Sequence, residues 1–189
     1  MNKDDMIKEI AGLSGKTPYF GSYTYELDGR TFELELPGIG KKTLEAGRTK
    51  LVFDGKESDY QAVKCEDETF LAGFDGKLLL FSAVTGEACL YDGGFYGKAP
   101  EENVLIGWET EMHFAAGLDR VLTFGEKEVT ISGETFPASY AEMTEDLYAV
   151  LLETGAGPLI LVLDLARFIL YGGLAGSITV GGCIEVPEE

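Results

Sequence analysis

Two stretches of this chain, one in each half, run through the same order of features. Tyr60–Gly94 reads YQAVKCEDETFLAGFDGKLLLFSAVTGEACLYDGG, and Tyr140–Gly173 reads YAEMTEDLYAVLLETGAGPLILVLDLARFILYGG. Each opens on a Tyr and a short polar turn. An aromatic-led apolar strand, a Gly turn and a second apolar strand follow, and Leu/Tyr precede a closing Gly-Gly. A supersecondary unit written twice constrains the architecture more than any single residue does.

Around these stretches, turn residues recur about every 8–12 positions, the pattern of a β-sandwich or barrel. Tyr23, Tyr25 and Leu27 alternate with Thr24 and Glu26 and predict a strand up to Asp28-Gly29. Phe32, Leu34 and Leu36 alternate next. Asp28-Gly29 between these two alternating runs is the strongest short-range hairpin pattern; a further strand ends at Asp54-Gly55, and Asp75-Gly76 joins Thr69–Phe74 to Lys77–Val84. At the start, Asp4 is placed to cap a short helix whose face is Met6, Ile7, Ile10 and Leu13, with Gly12 and Gly15 ending it. The polar stretch Lys98–Asn103 separates the halves and predicts a boundary between residues 1–100 and 101–189.

Several strands are apolar on both faces, notably Leu78–Phe81 and Leu159–Val162. Such a strand must be covered twice. An antiparallel protein does this with barrel staves packed inside and covered outside by a helix, a loop or a second barrel. Closure also removes exposed strand edges. Two small barrels are preferred over one large one, because each half carries enough strands to close.

Tyr140…Glu145-Asp146-Leu147-Tyr148, then Val162-Leu163-Asp164-Leu165 and Tyr171-Gly172-Gly173, resemble the repeat of MoaF-like proteins, named for molybdenum cofactor biosynthesis protein F. That family is similar to the lipocalins and other calycins in forming small antiparallel barrels. Its typical half begins with an aromatic strand ending in a Gly turn, here Tyr23–Gly29, and the resemblance runs from Tyr19 to Glu185. It implies an all-β, calycin/lipocalin-like architecture of two tandem repeats and a link to molybdenum cofactor synthesis, without supplying a mechanism.

Charge narrows the partners. The chain has 189 residues, 33 acidic against 15 basic, and a net charge of -18. Such a surface repels nucleic-acid phosphates and anionic lipid, so neither nucleic acid nor a membrane is an expected partner. The opening MNKDDMIKEIAGLSG has no basic stretch followed by an apolar one, which predicts no secretory leader and a cytoplasmic location. Cys65, Cys89 and Cys183 are odd in number and widely spaced, which predicts small buried hydrophobes rather than disulfide partners. Gly15-Lys16-Thr17 and Pro37–Lys42 lack the remaining glycines and flanking elements of phosphate-binding loops, and are read as plain loops.

Two constellations are candidates for chemistry. Glu109, Glu111 and His113 share one face of a strand whose other face carries Trp108, Met112 and Phe114. The aromatic face is expected inward, leaving the acids in solvent. The alternative is a wet lumen with Glu111 and His113 as catalytic acid and base. One His and no Cys pair predict no metal site. The second constellation is tyrosines: Tyr23, Tyr25, Tyr60, Tyr140 and Tyr148, with Trp108, are amphipathic walls suited to a barrel mouth or a ligand floor. Asp164 interrupts an apolar strand and is expected at a solvated turn.

The expected function is lipocalin-like binding of a small apolar or aromatic molecule in a barrel lumen, without a cofactor. The alternative is a cofactor-independent lyase or isomerase acting on a small aromatic substrate through Glu, His and Tyr. A third class is an interaction module or homo-oligomer, in which Leu159–Leu165 packs against another subunit.

Overall fold

The computed structural model describes residues 2–12, 23–66, 68–114, 118–174 and 176–185. The fold is all-β with one short helix, and its strand ladders are antiparallel. In the first half, β1 (Thr31–Leu36), β2 (Gly40–Ala46), β3 (Lys50–Phe53) and β4 (Lys56–Asp59) form a four-stranded sheet. Next, β5 (Gln61–Glu66), β6 (Thr69–Phe74), β7 (Lys77–Ser82), β8 (Ala88–Tyr91) and β9 (Phe95–Tyr96) form a five-stranded one. In the second half the strands are β10 (Glu109–Phe114), β11 (Leu118–Phe124), β12 (Glu128–Ile131), β13 (Glu134–Thr144), β14 (Leu147–Thr154), β15 (Gly157–Asp164), β16 (Ile169–Leu174) and β17 (Val180–Ile184). These eight make a closed barrel, sealed where β17 pairs back onto β10 through Met112↔Ile184 and Phe114↔Gly182. The first half, expected to close as a second barrel, remains two sheets, because among the described residues no ladder joins β4 to β5 or β1 to β9.

The two halves share registers 78 positions apart. Thr31↔Glu45 recurs as Glu109↔Thr123, and Leu44↔Phe53 as Leu122↔Ile131. The bulge between Lys64 and Glu66 recurs between Glu142 and Thr144. The correspondence then shifts. Thr69 pairs with Ser82, 13 residues on, whereas Leu147 pairs with Asp164, 17 residues on. Tyr91-Asp92-Gly93-Gly94 therefore does not superpose on Tyr171-Gly172-Gly173 as the sequence rhyme suggests. Gly172 and Gly173 lie inside β16, while Gly93 and Gly94 follow β8.

The Asp-Gly turns at Asp54-Gly55 and Asp75-Gly76 form hairpins as expected. Asp54 and Gly55 have φ of 50° and 82°, Asp75 and Gly76 of 46° and 72°, which matches the twist of the flanking strands. The expected strand Tyr23–Leu27 does not form, and with it the hairpin expected at Asp28-Gly29 is absent. Thr24 N–H donates to Ala62 O (2.8 Å), and the chain then turns through Asp28 N–H to Tyr25 O (3.1 Å), burying Leu27.

Helix α1 (Lys3–Ile10) is capped by Asn2 rather than Asp4: the Asn2 side chain accepts the Asp5 N–H at 2.8 Å. Asp4 and Asp5 instead occupy the first turn, where the helix dipole favours acids. Gly12, at φ 73°, follows the helix end; Leu13 and Gly15 lie outside the described residues.

Three apolar cores follow from strand alternation. Tyr148, Val150 and Leu152 of β14 and Leu159, Leu161 and Leu163 of β15 point into the barrel, where Met6, Ile7 and Ile10 of α1 join them. Phe70, Ala72 and Phe74 of β6 and Leu79 and Phe81 of β7 fill the first half. The opposite faces meet between the halves. Leu71, Leu78, Leu80, Cys65 and Cys89 pack there against Ala149, Leu151, Ile160 and Val162. This third core accounts for strands apolar on both faces. The outer face of Leu159–Leu165, assigned above to another subunit, is covered by the first half of the same chain. Burial pushes the Cys89 thiol up to about 12 and raises that of Cys65 as well. Cys183, expected inside, is exposed on the barrel wall.

Candidate ligand cleft

Glu111 and His113 lie on the outer wall of the barrel, because their neighbours Met112 and Phe114 fill its interior. The acid–base alternative required them beside an internal cavity, and the pleat of β10 turns them the other way. The His113 side chain, 41% exposed, places Nδ1 2.7 Å from Asp119 Oδ1 and Nε2 3.7 Å from Glu185 Oε2. Glu185 arrives there because its carbonyl accepts the Thr110 hydroxyl and its N–H donates to Glu111 O (2.9 Å). Donor atoms of Glu111, His113 and Glu185 fall within 4.8 Å of one another, a trio that the strand pattern alone does not reveal because Glu185 lies beyond β17.

The hydrogen bond that His113 Nδ1–H donates to the Asp119 carboxylate raises the His113 pKa above its ordinary value, with Glu111 and Glu185 adding to it. The folded-state value is thus the higher one. The stabilisation from this contact is full below the ordinary imidazole range and disappears as pH rises through the raised value. Replacing Asp119 with Asn is expected to bring the His113 titration midpoint, followed by imidazole NMR shifts, back toward the ordinary value. An unchanged midpoint would remove Asp119 as the cause.

The tyrosines are dispersed. Tyr60 OH donates to Gly47 O (2.6 Å), and Tyr140 OH donates to Gly125 O (2.7 Å), a carbonyl 78 positions beyond Gly47 although Tyr140 stands 80 beyond Tyr60. Both latch a strand to the turn preceding β3 or β12, and burial pushes the Tyr140 pKa to about 12. Tyr23 OH donates to Ile178 O (2.9 Å). Tyr25 is 53% exposed beneath the Arg48 guanidinium. Tyr148 is buried inside the barrel and Trp108 packs half-buried against the same core. Among the described residues no common cavity gathers these six, since most of their hydroxyls and rings are engaged in fold contacts.

Asp164 also departs from expectation. It is fully buried, accepts the backbone N–H groups of Ala166 and Arg167 (3.1 Å each), and pairs with Arg167 Nε at 2.7 Å. A buried carboxylate is tolerated only with such partners. Asp164 and Arg167 order the turn between β15 and β16.

The apolar-floored opening lies elsewhere, at one end of the first half. It encloses about 340 Å³ over a floor of Leu36, Ile39, Phe53, Phe74 and Leu90, with Lys42, Lys56, Lys77, Asp54, Asp75 and Asp92 at its rim. Two copies of one tetrapeptide build much of it: Phe53-Asp54-Gly55-Lys56 and Phe74-Asp75-Gly76-Lys77. In each, the Phe ends a strand and points inward, Asp-Gly turns the chain, and the Lys begins the returning strand. The Phe rings meet edge-on at 5.6 Å between centroids, and Lys56 Nζ reaches across to Asp75 Oδ2 at 2.6 Å. Lys77 shares that carboxylate at 3.2 Å, and Lys42 pairs with Asp54 at 3.0 Å. The two lysines hold the Asp75 carboxyl below the usual carboxylate range. The repeated tetrapeptide was visible in the sequence; read only as turns, it carried no hint that both turns open on one cleft.

The matching end of the closed barrel is covered by α1. Phe114, Ile131 and Leu152 stand 78 positions beyond Leu36, Phe53 and Phe74, and pack in the core that Met6, Ile7 and Ile10 enter. Lys3 Nζ donates to Thr135 O (3.0 Å), and Glu9 pairs with Arg120 at 3.5 Å. Among the described residues no helix is long and apolar enough to cross a membrane. Neither a protein-family model nor a curated protein sequence matches this chain.

Proposed function

We propose that this protein binds a small, mostly apolar molecule in the cleft of its first half. In this reading the chain is a calycin-like, MoaF-like pair of tandem repeats, residues 1–100 and 101–189, with one lumen filled and the other open at its mouth. One observation carries the reading: corresponding ends of the two halves differ in that α1 fills one, while the other presents an apolar floor to solvent. The closed barrel is a weak candidate, because its inward side chains and α1 form one buried core. The volume of the first-half cleft is within the ~300–1,000 Å³ usual for ligand pockets, and a few polar rim groups over apolar walls fit that class of site. The protein acts here as a carrier or sensor rather than a catalyst, because Glu111 and His113 face outward and away from the cleft.

Titration with decanol, a neutral apolar probe, followed by amide NMR, is expected to shift the resonances of Gly55, Ser58 and Gly76. Ser58 is half-buried on the cleft wall, so Ser58→Trp should fill the space and abolish those shifts while leaving the melting temperature within a few degrees. Shifts confined to other surfaces, or unaffected by Ser58→Trp, would overturn the assignment.

A further inference from the structure

We infer that the outer wall of the closed barrel carries a site for a divalent transition-metal ion of the zinc class, held by His113 Nε2 and one carboxylate oxygen each from Glu111 and Glu185. The site is separate from the cleft and lies across the seam where β17 closes onto β10.

Register brings the donors together. Glu111 and His113 stand two residues apart on β10 and share its outer face, while Met112 between them fills the interior. Glu185 follows Ile184, the partner of Met112, and its N–H donates to Glu111 O at 2.9 Å, so it stands directly across from Glu111. The three donor atoms lie within 4.8 Å of one another, and Nε2 is 3.7 Å from Glu185 Oε2. Around a tetrahedral ion with bonds of about 2.0–2.2 Å, neighbouring ligand atoms stand about 3.3–3.6 Å apart. The nitrogen and one oxygen are therefore already near ligand spacing. A lone His predicts no metal site, and carboxylates from two strands supply the ligands it lacks.

Two observations set this trio apart from an ordinary acidic surface. The first is the hold on His113. Its Nδ1–H donates to Asp119 across the β10–β11 ladder at 2.7 Å, which leaves the Nε2 lone pair on the side of the glutamates. A carboxylate behind a histidine is the usual outer support of a metal-binding imidazole. The second is charge. Like charges directly opposite on neighbouring strands are destabilising, yet Glu111 and Glu185 are so placed. Among the described residues neither forms an ion pair with a lysine or arginine, in contrast to Asp54 and Asp75 of the cleft. Val121, across from Glu111 on β11, brings no charge, and Arg120 is committed to Glu9. A dication between the two carboxylates converts their repulsion into attraction. A nitrogen donor beside two oxygens suits a borderline ion better than magnesium or calcium, which take oxygen ligands. Cys183 pairs with His113 across the seam and is exposed on the same wall, which adds a soft donor at the margin of the site.

The test is calorimetric titration of the full chain with zinc chloride, with magnesium in excess to occupy the general acidic surface. One equivalent is expected to bind with an affinity on the order of micromolar or tighter, raising the melting temperature by mass action. The His113 imidazole NMR resonances should shift at the same stoichiometry. Glu185→Gln, on a side chain 58% exposed, should weaken zinc about tenfold or more and leave the metal-free melting temperature within a few degrees. Asp119→Asn, which holds the imidazole without touching the ion, should weaken zinc about tenfold with one equivalent still bound. Zinc uptake that leaves His113 unmoved, or that survives Glu111→Gln and Glu185→Gln together, would place the ion elsewhere and overturn the site. Suppression of zinc uptake by the magnesium would overturn the transition-metal class. A chain that takes up no zinc even without magnesium would overturn the inference outright.

Discussion

Gly172→Ala is expected to destabilise the protein by about 3 kcal/mol or more, from backbone strain together with overpacking. Gly172 has φ of 147° in β16, and a Cβ there would meet the Ile160 carbonyl oxygen of the neighbouring strand. Backbone cannot retreat as a flexible side chain can. Gly182 repeats the situation at the closing seam, with φ of 150° and a Cβ that would strike His113 O. The glycines let β15, β16, β17 and β10 approach closely enough to finish the barrel. Gly133→Ala is the control: it also has a positive φ, 90°, yet its Cβ would meet nothing within 4 Å. It should cost only about 1 kcal/mol, the strain alone. Urea denaturation of both variants decides the matter, and equal losses would show that close approach at Gly172 is not limiting.

Leu80→Asp should be more damaging, at about 4 kcal/mol or more. Leu80 is 2% exposed in the core between the halves, facing Ala149, Ile160 and Val162. An aspartate there is a lone charge among apolar side chains. The halves escape that cost only by separating, which bares two apolar sheet faces at once. Leu80→Ala, which removes contacts without adding charge, is expected to cost about 2–4 kcal/mol. Size-exclusion chromatography should show Leu80→Asp as self-associated or expanded, and Leu80→Ala as native in size. A Leu80→Asp chain within about 1 kcal/mol of the parent would mean that the halves are not held by this core.

The all-β layout, the hairpins at Asp54-Gly55 and Asp75-Gly76, and the need for two covers over β7 and β15 were legible in the sequence, because alternation and turn chemistry are local properties. What covers those strands was not legible, since the third core joins residues as distant as Leu71 and Ile160. Asp164 was misplaced for a related reason: its acceptors are engaged by a turn and by Arg167, whose guanidinium folds back three residues. The tyrosines looked like ligand walls because an amphipathic ring suits either role. Only register shows that Tyr60 and Tyr140 end on the carbonyls of Gly47 and Gly125. The paired Phe-Asp-Gly-Lys turns were in plain view, but their convergence on one cleft depends on how two sheets face each other.

Docking of α1 into the second half has a consequence for synthesis on the ribosome. The helix precedes every strand of its seat along the chain, and that seat is not complete until β17 has been translated and paired with β10. Met6, Ile7 and Ile10 therefore lack their final apolar partners for as long as the barrel is open.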